Sequence, residues 1–104
     1  MYTAVLERIP YMDLREVVSI MLLVDGVRWL LKIRAMRLTL IEEDKVSDKM
    51  VEEKINELRT KYALFAAILE RIHNMDLKET TIATFAIDGM ESLLKVRALL
   101  ILGS

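Results

Sequence analysis

The chain contains the same helical pattern twice. When the sequence is shifted by 63 positions, residues 2–41 align with residues 65–104 without a gap, and 16 of the 40 aligned pairs are identical. Unrelated segments of ordinary composition would share roughly 2 or 3 identities over that length. A repeated supersecondary unit explains such a match. We therefore predict an all-α, four-helix bundle-like fold made of two tandem copies of one helical hairpin, related by pseudo-two-fold symmetry.

The duplication divides the chain into two repeats and a connector. Repeat 1 covers residues 2–41, a charged helical connector covers 42–64, and repeat 2 covers 65–104. A length of 104 residues predicts that 1–104 form a single domain. The residues of repeat 1 that recur unchanged in repeat 2 are Ala4, Leu6, Glu7, Arg8, Ile9, Met12, Asp13, Leu14, Glu16, Asp25, Gly26, Leu30, Leu31, Lys32, Arg34 and Ala35.

Each repeat carries a helix start signal at the same place. Asp13 is followed three residues later by Glu16, and Asp76 is followed in the same way by Glu79. An aspartate at the N-cap with a glutamate at the third helical position satisfies two backbone N–H groups that have no partner in the helix. Long helices are therefore predicted to begin at Leu14 and at Leu77. The first is preceded by a short helix over about residues 2–11, and the second by the end of a long helix.

The two long helices are predicted to run without a break through their Asp-Gly pairs. Their apolar residues keep the same helical phase on both sides of Gly26 and Gly89. A glycine inside a helix costs about 1 kcal/mol relative to alanine. Its presence in both repeats indicates a close approach of another backbone at each glycine.

The connector and the start of repeat 2 show the spacing of a packed helix. A turn is predicted at residues 43–46, Ser47 is a suitable N-cap, and one helix is predicted from Asp48 to Asn74. Its apolar residues recur in steps of four and three, as in helices that pack at shallow angles. The residues of this stripe, which we call the connector seam, are Val51, Ile55, Leu58, Tyr62, Phe65, Leu69 and Ile72.

The first helix is much shorter than the predicted helix 48–74. The N-terminal half of the connector seam is therefore predicted to have no partner within the chain and to bind another molecule. A hydrophobic content of 54% in so small a chain also favours a buried interface. The predicted partner-binding residues are Val51, Ile55, Leu58 and Tyr62 of the seam together with Trp29, Arg28 and Arg37.

Composition excludes several classes of function. The chain has no cysteine, so disulfides and thiol catalysis are excluded. Three isolated glycines and a single histidine leave no phosphate-binding loop and little for general-base catalysis. We expect a protein that is not an enzyme and needs no cofactor.

The same features give expectations for the protein's surroundings. A net charge of −1 gives no overall attraction to nucleic acid or to anionic lipid. No apolar run is long enough to cross a membrane, and the first residues lack the pattern of a signal peptide. We expect a cytoplasmic protein that does not bind membranes. The abundance of Lys, Arg and Glu with no glutamine is typical of a thermophile.

The two repeats differ in charge at one place. Repeat 1 has Arg28, Trp29 and Arg37 where repeat 2 has an acidic, a small polar and an apolar residue. An aromatic ring flanked by cations can anchor an interface or stack on a base. It can also simply pack in the bundle. The candidate nucleic-acid residues are Arg28, Trp29, Lys32, Arg34 and Arg37.

A metal site is the third hypothesis. Glu70 and His73 form a Glu-x-x-His pattern, which places a carboxylate and an imidazole on one face of a helix, as in carboxylate-bridged metal bundles. The equivalent pair in repeat 1 is Glu7 and Pro10, so the chain supplies only one such pair. A histidine at the end of a helix also suits the helix dipole without any metal.

The sequence thus favours a non-enzymatic helical interaction module. Such a module would either self-associate, as a homodimer, or serve as a small accessory subunit of a larger assembly. A nucleic-acid-associated protein and a carboxylate-bridged metal protein are the alternatives. No motif in the chain identifies a known family.

Overall fold

The computed structural model describes residues 2–39 and 47–103, and every regular element among them is helical. The turn predicted at residues 43–46 lies outside the described residues. Three single turns of 3-10 helix connect or extend the α-helices. The α-helices are α1 (Tyr2–Arg8), α2 (Leu14–Leu38), α3 (Asp48–Lys61), α4 (Ala66–Arg71) and α5 (Leu77–Leu102), and the 3-10 turns are Ile9–Tyr11, Ala63–Phe65 and Ile72–Asn74.

The predicted helix starts are confirmed. The carboxylate of Asp13 accepts a hydrogen bond from the Glu16 backbone N–H at 2.8 Å, and Asp76 accepts one from the Glu79 N–H at the same distance. The Ser47 hydroxyl accepts from the Met50 N–H at 3.2 Å and begins α3. These local bonds fix where three of the helices start.

Both long helices are continuous, as predicted. The helix α2 has 25 residues and passes through Gly26, and α5 has 26 residues and passes through Gly89. They pack against each other more extensively than any other pair of helices. Contacts between the end of each helix and the start of the other show that they run antiparallel. Their packing is compatible with a helical bundle.

The prediction of a single helix from 48 to 74 is wrong. At Tyr62 the backbone leaves the helical region, with φ −129° and ψ 64°, and a 3-10 turn separates α3 from α4. The Tyr62 hydroxyl donates a hydrogen bond to the Ser19 carbonyl oxygen at 2.8 Å. The break lets Leu58 of α3 and Leu69 of α4 enter the same buried cluster. A straight helix would not redirect the chain in this way.

The core has two apolar clusters, and α2 contributes side chains to both. One is formed where α3 and α4 cover α2, and it contains Leu30, Ile33 and Leu58. The other is formed where the end of the first helical segment meets both long helices, and it contains Ile9 and Leu94. The long helices therefore form the centre of the core, and the shorter helices pack on them.

Candidate interaction surface

The connector seam is buried inside the chain. Val51, Ile55 and Leu58 are each at most 6% exposed, and they pack against α2. Tyr62 is half-buried at the edge of the same cluster. The prediction that the N-terminal half of this seam lacks a partner within the chain is wrong, because α3, which lies within the connector, packs on α2. These side chains are not available at the surface.

The two glycines have different surroundings. A Cβ atom built on Gly26 would lie 2.7 Å from Cδ1 of Leu58, so α3 packs tightly on α2 at this point. The approaching group is a side chain and not a backbone, which corrects the sequence interpretation. Gly89 is exposed, whereas Gly26 is buried. Leu58 of α3 thus covers Gly26, and Gly89 stays at the surface.

The basic patch does not form one cationic surface. Arg28 of α2 binds Asp88 of α5 at 2.7 Å and also contacts Glu91, whose side chain is largely buried. Arg37 pairs with Asp48 at the start of α3, with 2.9 Å between the charged atoms. Both guanidinium groups therefore contact carboxylates of the same chain, and they join α2 to its neighbours.

The other members of the patch point to different surroundings. Trp29 is half-buried and packs against the cluster beneath α3, beside the groove that contains Gly26. The Nε atom of Arg34 donates a hydrogen bond to the Met75 carbonyl oxygen at 2.9 Å. Lys32 is exposed. Arg28, Arg34 and Arg37 thus each have an intrachain partner, and the exposed surface of this region is mixed in charge.

A matching pair of hydrogen bonds joins the two ends of the molecule. Arg34 of α2 donates to the Met75 carbonyl oxygen that precedes α5, and Arg97 of α5 donates to the Met12 carbonyl oxygen that precedes α2, both at 2.9 Å. Each accepting carbonyl lies at the C-cap of a 3-10 turn. The arginines occupy equivalent positions in the two repeats. Each long helix is thereby fastened to the start of the other.

We expect Arg34→Ala and Arg97→Ala to lower the free energy of unfolding by similar amounts, about 1.5 kcal/mol each, because a part-buried carbonyl loses a charged donor. Urea unfolding of both variants measures this. The exposed Arg15 provides the control, since Arg15→Ala removes a surface cation. Values for Arg34→Ala and Arg97→Ala within a few tenths of that control would contradict the assignment.

The residues of the candidate metal site contact other partners. Glu70 accepts a hydrogen bond from Arg59 of α3 at 2.8 Å. The Nε2 atom of His73 lies 3.1 Å from a carboxylate oxygen of Glu52. Within residues 2–39 and 47–103, no three histidine, aspartate or glutamate side chains are close enough together to hold a metal ion. The Arg59–Glu70 ion pair and the His73–Glu52 contact join α3 to the segment after it at the surface.

The outer side of α5 carries a continuous exposed apolar stripe. Phe85 is 71% exposed, Val96 is 54% exposed and Leu93 is 48% exposed. Successive residues of the stripe are separated by three, four, four, three and four positions, so they lie on one face of the helix. We call this surface the outer face of α5, and its residues are Ile82, Phe85, Gly89, Leu93, Val96 and Leu100.

The equivalent face of α2 is covered at Gly26, Leu30 and Ile33, while Leu22, which aligns with Phe85, is 60% exposed. Leu30 and Ile33, which align with Leu93 and Val96, are 1% and 5% exposed because α3 packs on them. Thus the positions of Leu30 and Ile33 are core in repeat 1, and the same positions are surface in repeat 2. The sequence analysis does not predict the outer face of α5, although the three-and-four spacing of its residues is present in the sequence. The other apolar stripe of the same helix is enough to explain a bundle.

Comparisons of the chain with protein-family models, with curated proteins and with solved structures found no match. Among the described ranges 2–39 and 47–103, none of the helices combines the length and apolar character needed to cross a membrane. The case for a function therefore depends on the surface chemistry of the chain itself.

Proposed function

We propose that the protein is a non-enzymatic helical interaction module that self-associates through the outer face of α5. The observation that carries this proposal is the exposure of five large apolar side chains in one stripe on a helix whose opposite side is in the core. Contiguous apolar surface of this kind marks protein interaction sites. Each such side chain contributes roughly 1.5–3 kcal/mol when it is fully removed from water.

The second part of the proposal is that the fold is an internal duplication with pseudo-two-fold symmetry. The matching N-caps and the exchanged Arg34 and Arg97 hydrogen bonds support it, since each involves equivalent residues of the two repeats. On this basis α3 is an added element that covers only one of two equivalent faces. The outer face of α5 is the one that remains uncovered.

The spacing of the outer face favours a second copy of the same helix as its partner. The stripe is symmetric about Gly89, with Phe85 and Leu93 four residues to either side and Ile82 and Val96 seven residues to either side. Two antiparallel α5 helices that cross at Gly89 would place Phe85 opposite Leu93 of the second copy. The lack of a side chain at the crossing point permits close approach of the two backbones. Isologous two-fold contacts are the commonest form of self-association.

The charges around the crossing point are compatible with this pairing. No charged residue lies in the stripe between Ile82 and Leu100. Asp88, which is next to Gly89, is already paired with Arg28 of its own chain. Glu91 is paired with both Arg28 and Lys95. Two copies can therefore approach without bringing unpaired carboxylates together.

The solution mass of the untagged protein tests this function. Light scattering after size exclusion, over a wide range of concentrations, is expected to give a mass that rises from 12.0 kDa towards twice that value. A 12.0 kDa species at every concentration, both for the purified protein and in an extract of the native cells, would contradict an interaction module. A monomer that becomes larger only in the extract would contradict self-association and support the accessory-subunit form.

The candidate nucleic-acid and metal sites supply no observation that favours either alternative function. Of the cations of the first, Arg28, Arg34 and Arg37 are bound to groups of the same chain and Lys32 is exposed. The two residues of the second contact Arg59 and Glu52.

A further inference from the structure

A cavity of about 200 Å³ lies between α2, α4 and α5. Leu23 and Leu31 line it from α2, Leu69 from α4, and Ala83 and Met90 from α5. Every residue of its lining is Ala, Val, Leu, Ile, Met or Phe. Several lining residues are only partly buried, and Ile68 of α4 is 37% exposed, so the cavity opens towards the surface on that side. It is on the inner side of α5, away from the outer face.

The cavity has an identifiable origin in the sequence. Ala83 and Ala86 stand in repeat 2 where repeat 1 has Ile20 and Leu23. Two large side chains are thus replaced by two methyl groups at the point where the long helices face each other. Protein interiors are normally packed as densely as organic crystals, with few voids larger than a water molecule. The substitutions leave space that the surrounding side chains do not fill.

The lining determines what the cavity can accept. Water needs two or more polar partners in a buried site, and here the lining side chains offer none. An apolar cavity of about 150 Å³ is large enough to bind benzene and remains free of water. Met75 and Met90, whose side chains are flexible, can adjust to the shape of an occupant.

We infer that this cavity is a binding site for a small uncharged apolar group, such as a single aromatic ring or a short alkyl chain. An occupant of the cavity adds packing contacts with its apolar lining. The ligand binds among residues of both repeats and is expected to stabilise the contact between α2 and α5. This site does not depend on pairing through the outer face of α5, so either assignment can fail alone.

Toluene is a suitable probe. We expect it to raise the melting temperature of the wild-type protein in a saturable manner, because a ligand that binds only the folded state stabilises it. Benzoate, which has a similar ring with a charge, is expected to give no shift, since the cavity offers no partner for a carboxylate. Methyl NMR resonances of Leu69 and Met90 should move with the same binding curve.

The residues of repeat 1 provide the test variants. Ala83→Ile and Ala86→Leu each introduce the side chain found at the equivalent position and reduce the cavity, so we expect at least about tenfold weaker toluene binding with folding preserved. The exposed Ala67 provides the control, and Ala67→Ile should bind as the wild type does. No saturable binding to the wild type, or undiminished binding by both cavity variants, would overturn the assignment.

Discussion

Replacement of Leu30 by alanine is expected to lower the free energy of unfolding by about 3 kcal/mol, because a fully buried leucine leaves a cavity when it is truncated. Leu30 is 1% exposed beneath α3. The identical residue at the equivalent position of repeat 2, Leu93, is 48% exposed. Leu93→Ala is expected to leave the stability of the single chain within about 0.5 kcal/mol of the wild type.

Urea unfolding of both variants over a series of protein concentrations makes the comparison. The loss at Leu30 should be the same at every concentration, since the side chain packs within its own chain. Any loss at Leu93 should appear only at concentrations where the wild type is associated, because dimers gain stability from mass action. Equal losses for the two variants at low concentration would contradict the different burial of the two faces.

The second large effect is expected for a charge placed in the outer face of α5. Phe85→Asp should raise the dissociation constant of the dimer by about 100-fold or more, because a large aromatic anchor is lost and a carboxylate must be desolvated. Phe85 is 71% exposed in the chain, so the substitution does not disturb the core. The change is measured by sedimentation equilibrium or by light scattering across concentrations.

Leu22 provides the matched control. It occupies the position of repeat 1 that aligns with Phe85, and it is also well exposed. Leu22→Asp should therefore test the effect of a new surface charge at an equivalent place outside the proposed interface. If Leu22→Asp weakens association as much as Phe85→Asp does, the interface is not the outer face of α5.

The helix starts and the continuity of the long helices could be predicted from the sequence because they depend on local chemistry. An aspartate at the N-cap accepts a hydrogen bond from the backbone N–H three residues later, as Asp13 and Asp76 do, while the side chains of Glu16 and Glu79 bind arginines. The unbroken apolar phase on both sides of Gly26 reflects packing along one helix. Both features can therefore be recognised from residues that are close together in the sequence.

The break at Tyr62 could not be predicted in the same way. The four-and-three spacing of the connector seam continues through Tyr62 to Ile72, and it states only that one side of the segment is apolar. It does not state which surface that side covers. In the folded chain the two halves of the seam pack from two separate helices into one cluster. The path of the intervening turn follows from that tertiary packing.

The basic patch shows a similar limit. Arg28 and Arg37 are near Lys32 and Arg34 in sequence, which indicates a cationic surface. Their partners lie in other helices: Asp88 of α5 is 60 residues from Arg28, and Asp48 of α3 pairs with Arg37. Ion pairs between helices thus neutralise the charges of Arg28 and Arg37, which have no partner on their own helix. The spacing of charged residues along the sequence does not show which of them meet in the folded chain.

The absence of cysteine makes a direct test of the central claim possible. Phe85→Cys and Leu93→Cys are prepared separately, mixed to allow exchange of subunits, and oxidised under mild conditions. In an antiparallel pair centred on Gly89, residue 85 of one copy faces residue 93 of the other, while the two copies of residue 85 are about 12 Å apart along the axis. The account predicts a disulfide-linked dimer in the mixture and little in either variant alone. Efficient linkage within either single variant, or no linkage in the mixture, would contradict it.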